Sequence, residues 1–162
     1  MNDETVNYFI TCFKSLYKVL INLEKTSYYI VSKYDIYFDN KITKNWCYDE
    51  FKIYLCKKVL LIGLEKNSVI CAFILIDRLL NVNKKLLKRE NLLNIVIISL
   101  IISHKFNEDS IYIDKCYCEV IKKDIIGLCS LEIIFCELIN YRLFITTETF
   151  GKYIDKVNSN QI

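Results

Sequence analysis

The chain is expected to be all-α, and three observations carry that expectation. It has no proline and only three glycines, Gly63, Gly127 and Gly151, in 162 residues, so the two strongest helix breakers are nearly absent. Apolar side chains recur at helical rather than alternating spacing along most of the chain. Residues 92–102 leave hardly any polar face, and a helix of that kind is stable only when other helices surround it. Together these predict a compact bundle of five helices built around a central one. An extra amphipathic helix precedes the bundle and a short helix follows it. Connections are short and no solenoid-length period repeats.

In chain order, residues 3–24 place Val6, Phe9, Ile10, Phe13, Leu16, Tyr17, Leu20 and Leu23 on one stripe, with Asn2, Asp3 or Thr5 available to cap its start. That stripe must pack on the body of the domain or on a partner. Residues 25–45 lose the period and become rich in Tyr, Asp, Asn and Lys, an irregular connector with room for one extended piece at Tyr28 to Val31. The first bundle helix is expected over Asp49 to Leu64, with Phe51, Leu55, Val59 and Ile62 along one face. The second is capped by Asn67 or Ser68 and runs to about Leu80. After the polar stretch NVNKKLLK the third spans Glu90 to Lys105, the fourth Ile111 to Ile121 and the fifth Asp124 to Tyr141. The fifth is nearly as apolar as the third. Thr146 or Thr147 can cap the last short helix. Residues 1–45 thus form an N-terminal helix and connector, and residues 46–158 the bundle with its C-terminal helix.

Composition excludes several function classes. Apolar residues are 53% and charged residues 25% of the chain, a globular balance with enough length for one domain and its core. The net charge of +3 gathers in no cluster beyond short Lys-Lys pairs, so nucleic acid is not an expected partner. Heavy use of Lys, Asn, Ile and Tyr fits A+T-rich codons, which removes weight from isolated Lys and Asn. The opening residues are acidic and polar, unlike a secretory leader. The most apolar run contains Asn94 and Ser99 and is too short to span a bilayer. A soluble protein of the cytoplasm or nucleus is expected.

Eight cysteines, at positions 12, 47, 56, 71, 116, 118, 129 and 136, include no C-x-x-C pair. Cys56, Cys71, Cys129 and Cys136 fall in apolar helical runs, where a thiol behaves as a small hydrophobe. Cys116, Cys118 and the single histidine, His104, would give three zinc ligands but leave the fourth without a source, so no metal is expected. His104 has no nucleophile at motif spacing. G-x-S-x-G, H-E-x-x-H and a Gly-rich phosphate loop are all missing, so neither catalysis nor a cofactor is expected.

Four blocks carry a resemblance. NSVICAFILIDRLL looks like the second helix of a cyclin box, with its Leu-Ile-Asp-Arg ending at Leu75 to Arg78. NLLNIVIISLIISHKFNED looks like the third, which ends in a small residue, Lys-Phe and two acids. CSLEIIFCELINYRLF looks like the fifth and its exit, and ITTETFGKY matches the element that follows it. The chain therefore resembles a single-box cyclin over residues 48–155, most similar to the P/U group related to a phosphate-response cyclin. It departs from that group at Ile121, Lys122 and Lys123, where a Gly-Gly pair is usual, and at Leu93 and Asn94, where His-Arg is usual. Cell-cycle cyclins carry a Met-Arg-x-x-Leu groove for substrates on the first helix. The matching place here reads Cys47, Tyr48, Asp49, Glu50, Phe51, which puts that docking mode in doubt and removes the arginine that usually pairs with Asp77.

The resemblance implies a regulatory subunit that forms a heterodimer with a cyclin-dependent protein kinase and activates it. It implies that Lys105 and Glu132 reach the kinase's mobile helix and its flanking backbone, and that Phe106, Cys136 and Tyr141 form the apolar part of that contact. Glu132 lies among Leu131, Ile133 and Ile134, where an unpaired carboxylate would be costly; an internal pair with Lys105 is the alternative. Asp77 and Arg78 are expected to hold neighbouring helices together. A cyclin-fold transcription module, or an adaptor with no kinase partner, are the competing readings.

Overall fold

The N-terminal apolar stripe folds as α1 (Asp3–Thr26) in the computed structural model, which describes residues 3–26, 32–108 and 114–159. The connector contains a one-turn helix, α2 (Asp35–Phe38), and a 3-10 turn over Lys41–Asn45. Then follow α3 (Tyr48–Ile62), α4 (Lys66–Val82), α5 (Arg89–Asn107), α6 (Asp114–Ile121), α7 (Ile125–Leu138) and α8 (Thr147–Asn158). No strand occurs among the described residues. The extended piece considered at Tyr28 to Val31, the start of the fourth bundle helix at Ile111 and the capping option at Asn2 lie outside those residues.

The central helix is α5, as its sequence demands. Every residue from Asn91 to His104 is buried, and α4 packs against it along the most extensive interface in the molecule. α3, α6, α7 and the connector close around the remaining sides. Five polar side chains ride on this apolar helix, and the described bonds give each a reason. Asn94 donates to the Phe38 carbonyl at 2.9 Å and Asn91 to the Leu86 carbonyl at 3.0 Å and the Asp35 carboxylate at 2.8 Å. Ser99 and Ser103 donate to the carbonyls of Val96 and Ser68. His104 belongs to the site described below. Burial without such partners would cost each group roughly 1–3 kcal/mol.

The connector is thereby less irregular than its composition suggests. Asp35 accepts from Asn91, Lys88 and the Ser32 N–H. Burial works to raise its carboxyl pKa, but these donors together hold it below its ordinary value. Thr43, fully buried, donates to the Arg89 carbonyl at 3.0 Å.

The docking of α1 is intramolecular. Phe9, Phe13, Leu16 and Leu20 are buried in the common core. Phe13 stacks on Tyr48 with ring centroids 5.7 Å apart, and Arg89 fixes the far end of α1 through Glu24 and the Tyr17 hydroxyl.

Several helix ends depart from the expected positions. α4 begins at Lys66 with Glu65 at its N-cap, so neither Asn67 nor Ser68 caps it. Ser68 is instead buried in its first turn. The break before α4 comes from Gly63, whose φ of 74° closes α3 in a conformation that costs other residues more. α7 ends at Leu138, before Tyr141, because Asn140 and Tyr141 both take left-handed backbone, at φ 52° and 53°. Of the two candidates for the last helix, Thr146 is the cap and accepts from the Thr149 N–H, while Asp124 caps α7 by accepting from the Gly127 N–H.

Candidate functional site: the exposed face of α5 and α7

α7 is nearly as apolar as α5 in composition, but it is covered on one side only. Leu128, Leu131, Phe135 and Leu138 face the core, but Ile125, Ile126 and Ile133 stand 54%, 73% and 52% exposed. Cys129, Glu132 and Cys136 continue from Ile125 at helical spacing. Beyond the helix end, the two left-handed residues turn the chain and leave Tyr141 and Phe144 exposed, with Phe106 of α5 exposed as well. Isolated apolar residues on a surface are unremarkable. An apolar helix left uncovered along its length marks a surface made to be covered.

The two charged residues expected from the sequence meet in this setting. Glu132 Oε1 lies 2.7 Å from Lys105 Nζ, bridging α7 and the last turn of α5. The oxygen is enclosed and lies off the line of a well-directed hydrogen bond, so the contact is an ion pair first. A carboxylate offers about four acceptor positions, and one lysine does not saturate them. The pair thus satisfies the internal reading geometrically while leaving Glu132 with capacity for another donor. Cys136, one turn on, has its thiol pKa raised by burial and then by the Glu132 charge.

Sequence reasoning missed what stands behind Lys105. Tyr117 of α6 is 1% exposed, and Lys105 Nζ sits 5.1 Å from its ring centroid. The Tyr117 hydroxyl lies 2.6 Å from Nδ1 of His104, whose Nε2 is 3.1 Å from a Glu108 carboxylate oxygen. The other Glu108 oxygen accepts from the Glu65 N–H at the start of α4. His104 is therefore a buried structural link, and the signal was available: the single histidine precedes Lys105 directly. His104 and Cys118 join no cluster of three or more metal-ligating side chains among the described residues, and the side chain of Cys116 lies outside them.

Arg78 donates to the Arg142 carbonyl, tying the end of α4 to the loop that carries Tyr141 and Phe144. Asp77 behaves otherwise. It lines a groove of about 350 Å³ with Cys12, Leu16, Phe73, Leu80 and Lys156 and forms no ion pair among the described residues. Its outer side keeps solvent access, yet the crowding pushes its carboxyl up to about 6 against the opposing pull of Lys156. A carboxyl with a higher pKa folded than unfolded favours the fold while protonated. That contribution is complete below about pH 4 and is lost as the pH rises through about 6. Asp77→Asn is expected to flatten this dependence and, after discounting for solvent screening, to add about 1 kcal/mol at neutral pH, a gain of a few degrees in Tm. A fall in Tm at pH 7.5 would mean that Asp77 is held by a cation after all.

At the place matching the substrate groove of cell-cycle cyclins, α1 is already seated. Phe51 is fully buried, Tyr48 is stacked under Phe13, and Glu50 accepts from the Cys47 N–H at 2.7 Å. No helix among the described residues is long and apolar enough to cross a membrane.

A family model described as Cyclin matches residues 41–143, nearly two thirds of the chain. No curated protein matches it at a significant level.

Proposed function

We propose that this chain, which belongs to the cyclin family, is the activating subunit of a cyclin-dependent protein kinase. The observation that carries this reading is the uncovered apolar face of α7, with the Lys105–Glu132 pair set into it. The family match supports a regulatory role, and the chemistry then belongs to the partner. In such a kinase a strand lysine must pair with a glutamate on a mobile helix before ATP is positioned. A rigid docking face activates the kinase if it binds the inward position of that helix better than the outward one, because only differential affinity shifts the population. Glu132 would accept from the partner's backbone or side chains, Lys105 would donate to it, and Phe106, Cys136 and Tyr141 would bury apolar area around them. The enclosed α5 behind this face supports the rigidity the mechanism needs.

The order of the Asp77-Arg78, Lys105-Phe106, Arg142-Leu143 and Phe150-to-Tyr153 elements supports membership of the P/U group, acting in the cytoplasm or nucleus. The test is a pull-down of the tagged chain from extract of its own cells, with a kinase assay on the eluate. A cyclin-dependent kinase is expected, and exposed Cys129 on α7 should resist alkylation in the complex while exposed Cys47, at the N-cap of α3, stays reactive. Recovery of polymerase factors or nucleic acid with no kinase would replace this reading with that of a transcription module.

A further inference from the structure

We infer that Tyr117 is a positioning residue for Lys105, setting the direction in which the docking face presents its cation. The inference rests on the proposed kinase contact for its consequence, but not for its geometry. A lysine side chain has four rotatable bonds and loses about 2 kcal/mol of rotamer freedom when fixed. Left to itself at a helix end, it would sample many directions. Three features restrict it here. Glu132 attracts the ammonium from α7 at 2.7 Å. The Tyr117 ring lies beneath it at 5.1 Å, where the negative face of the aromatic ring favours a cation. The ring itself is held still, since Tyr117 is buried and its hydroxyl is anchored to His104 Nδ1 at 2.6 Å.

The anchor extends further. His104 meets Tyr117 edge to face, with ring planes at 80°, and carries Glu108 on its other nitrogen, which reaches the start of α4. The tautomer with its proton on Nε2 gives every atom a role: Tyr117 donates to Nδ1 and Nε2 donates to Glu108. A continuous line of side chains thus runs from α4 through α5 and α6 to the ammonium of Lys105 and on to α7. The two halves of Tyr117 do different work. Its ring bears the cation, and its hydroxyl fixes the ring.

The experiment separates them with Tyr117→Phe and Tyr117→Leu, each made with and without Lys105→Ala, in the full chain. The first readout is the side-chain methylene resonances of Lys105 in protein with labelled lysine, shifted by the ring current in the wild type. They are expected to stay shifted in Tyr117→Phe and to collapse to ordinary values in Tyr117→Leu. The second readout is kinase activity recovered in the pull-down described above. Tyr117→Leu is expected to lower it about tenfold, Tyr117→Phe about twofold or less, and neither to lower it further when Lys105 is already alanine. Helicity and Tm of each variant establish that it is folded. Because Tyr117→Phe is nearly isosteric, it remains informative if the leucine variant does not fold. An unshifted Lys105 signal in the wild type, or an equal loss from Tyr117→Leu on the Lys105→Ala background, overturns the inference. If the wild type recovers no kinase, the proposed function fails while the resonances still decide whether Tyr117 directs Lys105.

Discussion

Lys105→Glu is expected to cut kinase activation by about 100-fold or more, equivalent to roughly 2.7 kcal/mol. The substitution sets two carboxylates where an ion pair of 2.7 Å now stands, at the edge of an apolar surface where neither can be fully hydrated. Breaking one partner out of an enclosed pair is costly because the other charge is left uncompensated. The single variant does not separate loss of a partner contact from loss of the internal pair. The exchange Lys105→Glu with Glu132→Lys does. It restores opposite charges across α5 and α7, so Tm should return most of the way to that of the wild type. It also offers the kinase the wrong sign at both positions, so activation should stay low. Kinase assay and thermal melt on the same preparations decide the matter. Recovery of activation together with Tm would mean that the pair serves only this chain's own fold.

Much of the fold was legible because α5 leaves so little freedom. A helix with isoleucine and leucine on every side has to be central, and the short connections then determine which helices can surround it. The same rule holds only in part at α7. Leu128, Leu131 and Phe135 obey it by facing the core, but Ile125, Ile126 and Ile133 are equally apolar and face outward. Composition cannot distinguish a helix covered by its own chain from one left open for another. Lys105 and Glu132 were identified through motif resemblance, and their meeting at the junction of α5 and α7 is a tertiary fact that spacing does not encode. Tyr117 was illegible for a similar reason. Its neighbours in space, His104 and Lys105, belong to a different helix, and aromatic residues are too frequent in this chain for one to stand out. The connector looked irregular because its order comes from long-range bonds to Asn91, Asn94 and Arg89 rather than from local periodicity.

Phe51→Ala is expected to destabilise the protein by about 4 kcal/mol, within the range of roughly 3–5 kcal/mol for large aromatic truncations in a core. The side chain is fully buried and its ring meets Trp46 at 5.3 Å, Tyr17 at 6.1 Å and Phe13 at 6.5 Å. It therefore joins three separate segments: the end of the connector, the first turn of α3 and the middle of α1. Removing it opens a cavity that rigid rings cannot collapse to fill, and small domains have only about 5–15 kcal/mol to lose. Phe51→Leu keeps most of the volume and should cost about 1.5 kcal/mol or less. Urea titration followed by helical circular dichroism measures both. A loss below about 1 kcal/mol for the alanine variant would mean that α1 is a loosely attached arm whose removal leaves the box intact. Since α1 packs chiefly on α3 and α4, the Lys105–Glu132 face should be spared. At a temperature where Phe51→Ala remains folded, it should therefore recover kinase as the wild type does, separating the aromatic seam that holds the domain together from the α7 face that is proposed to bind the partner.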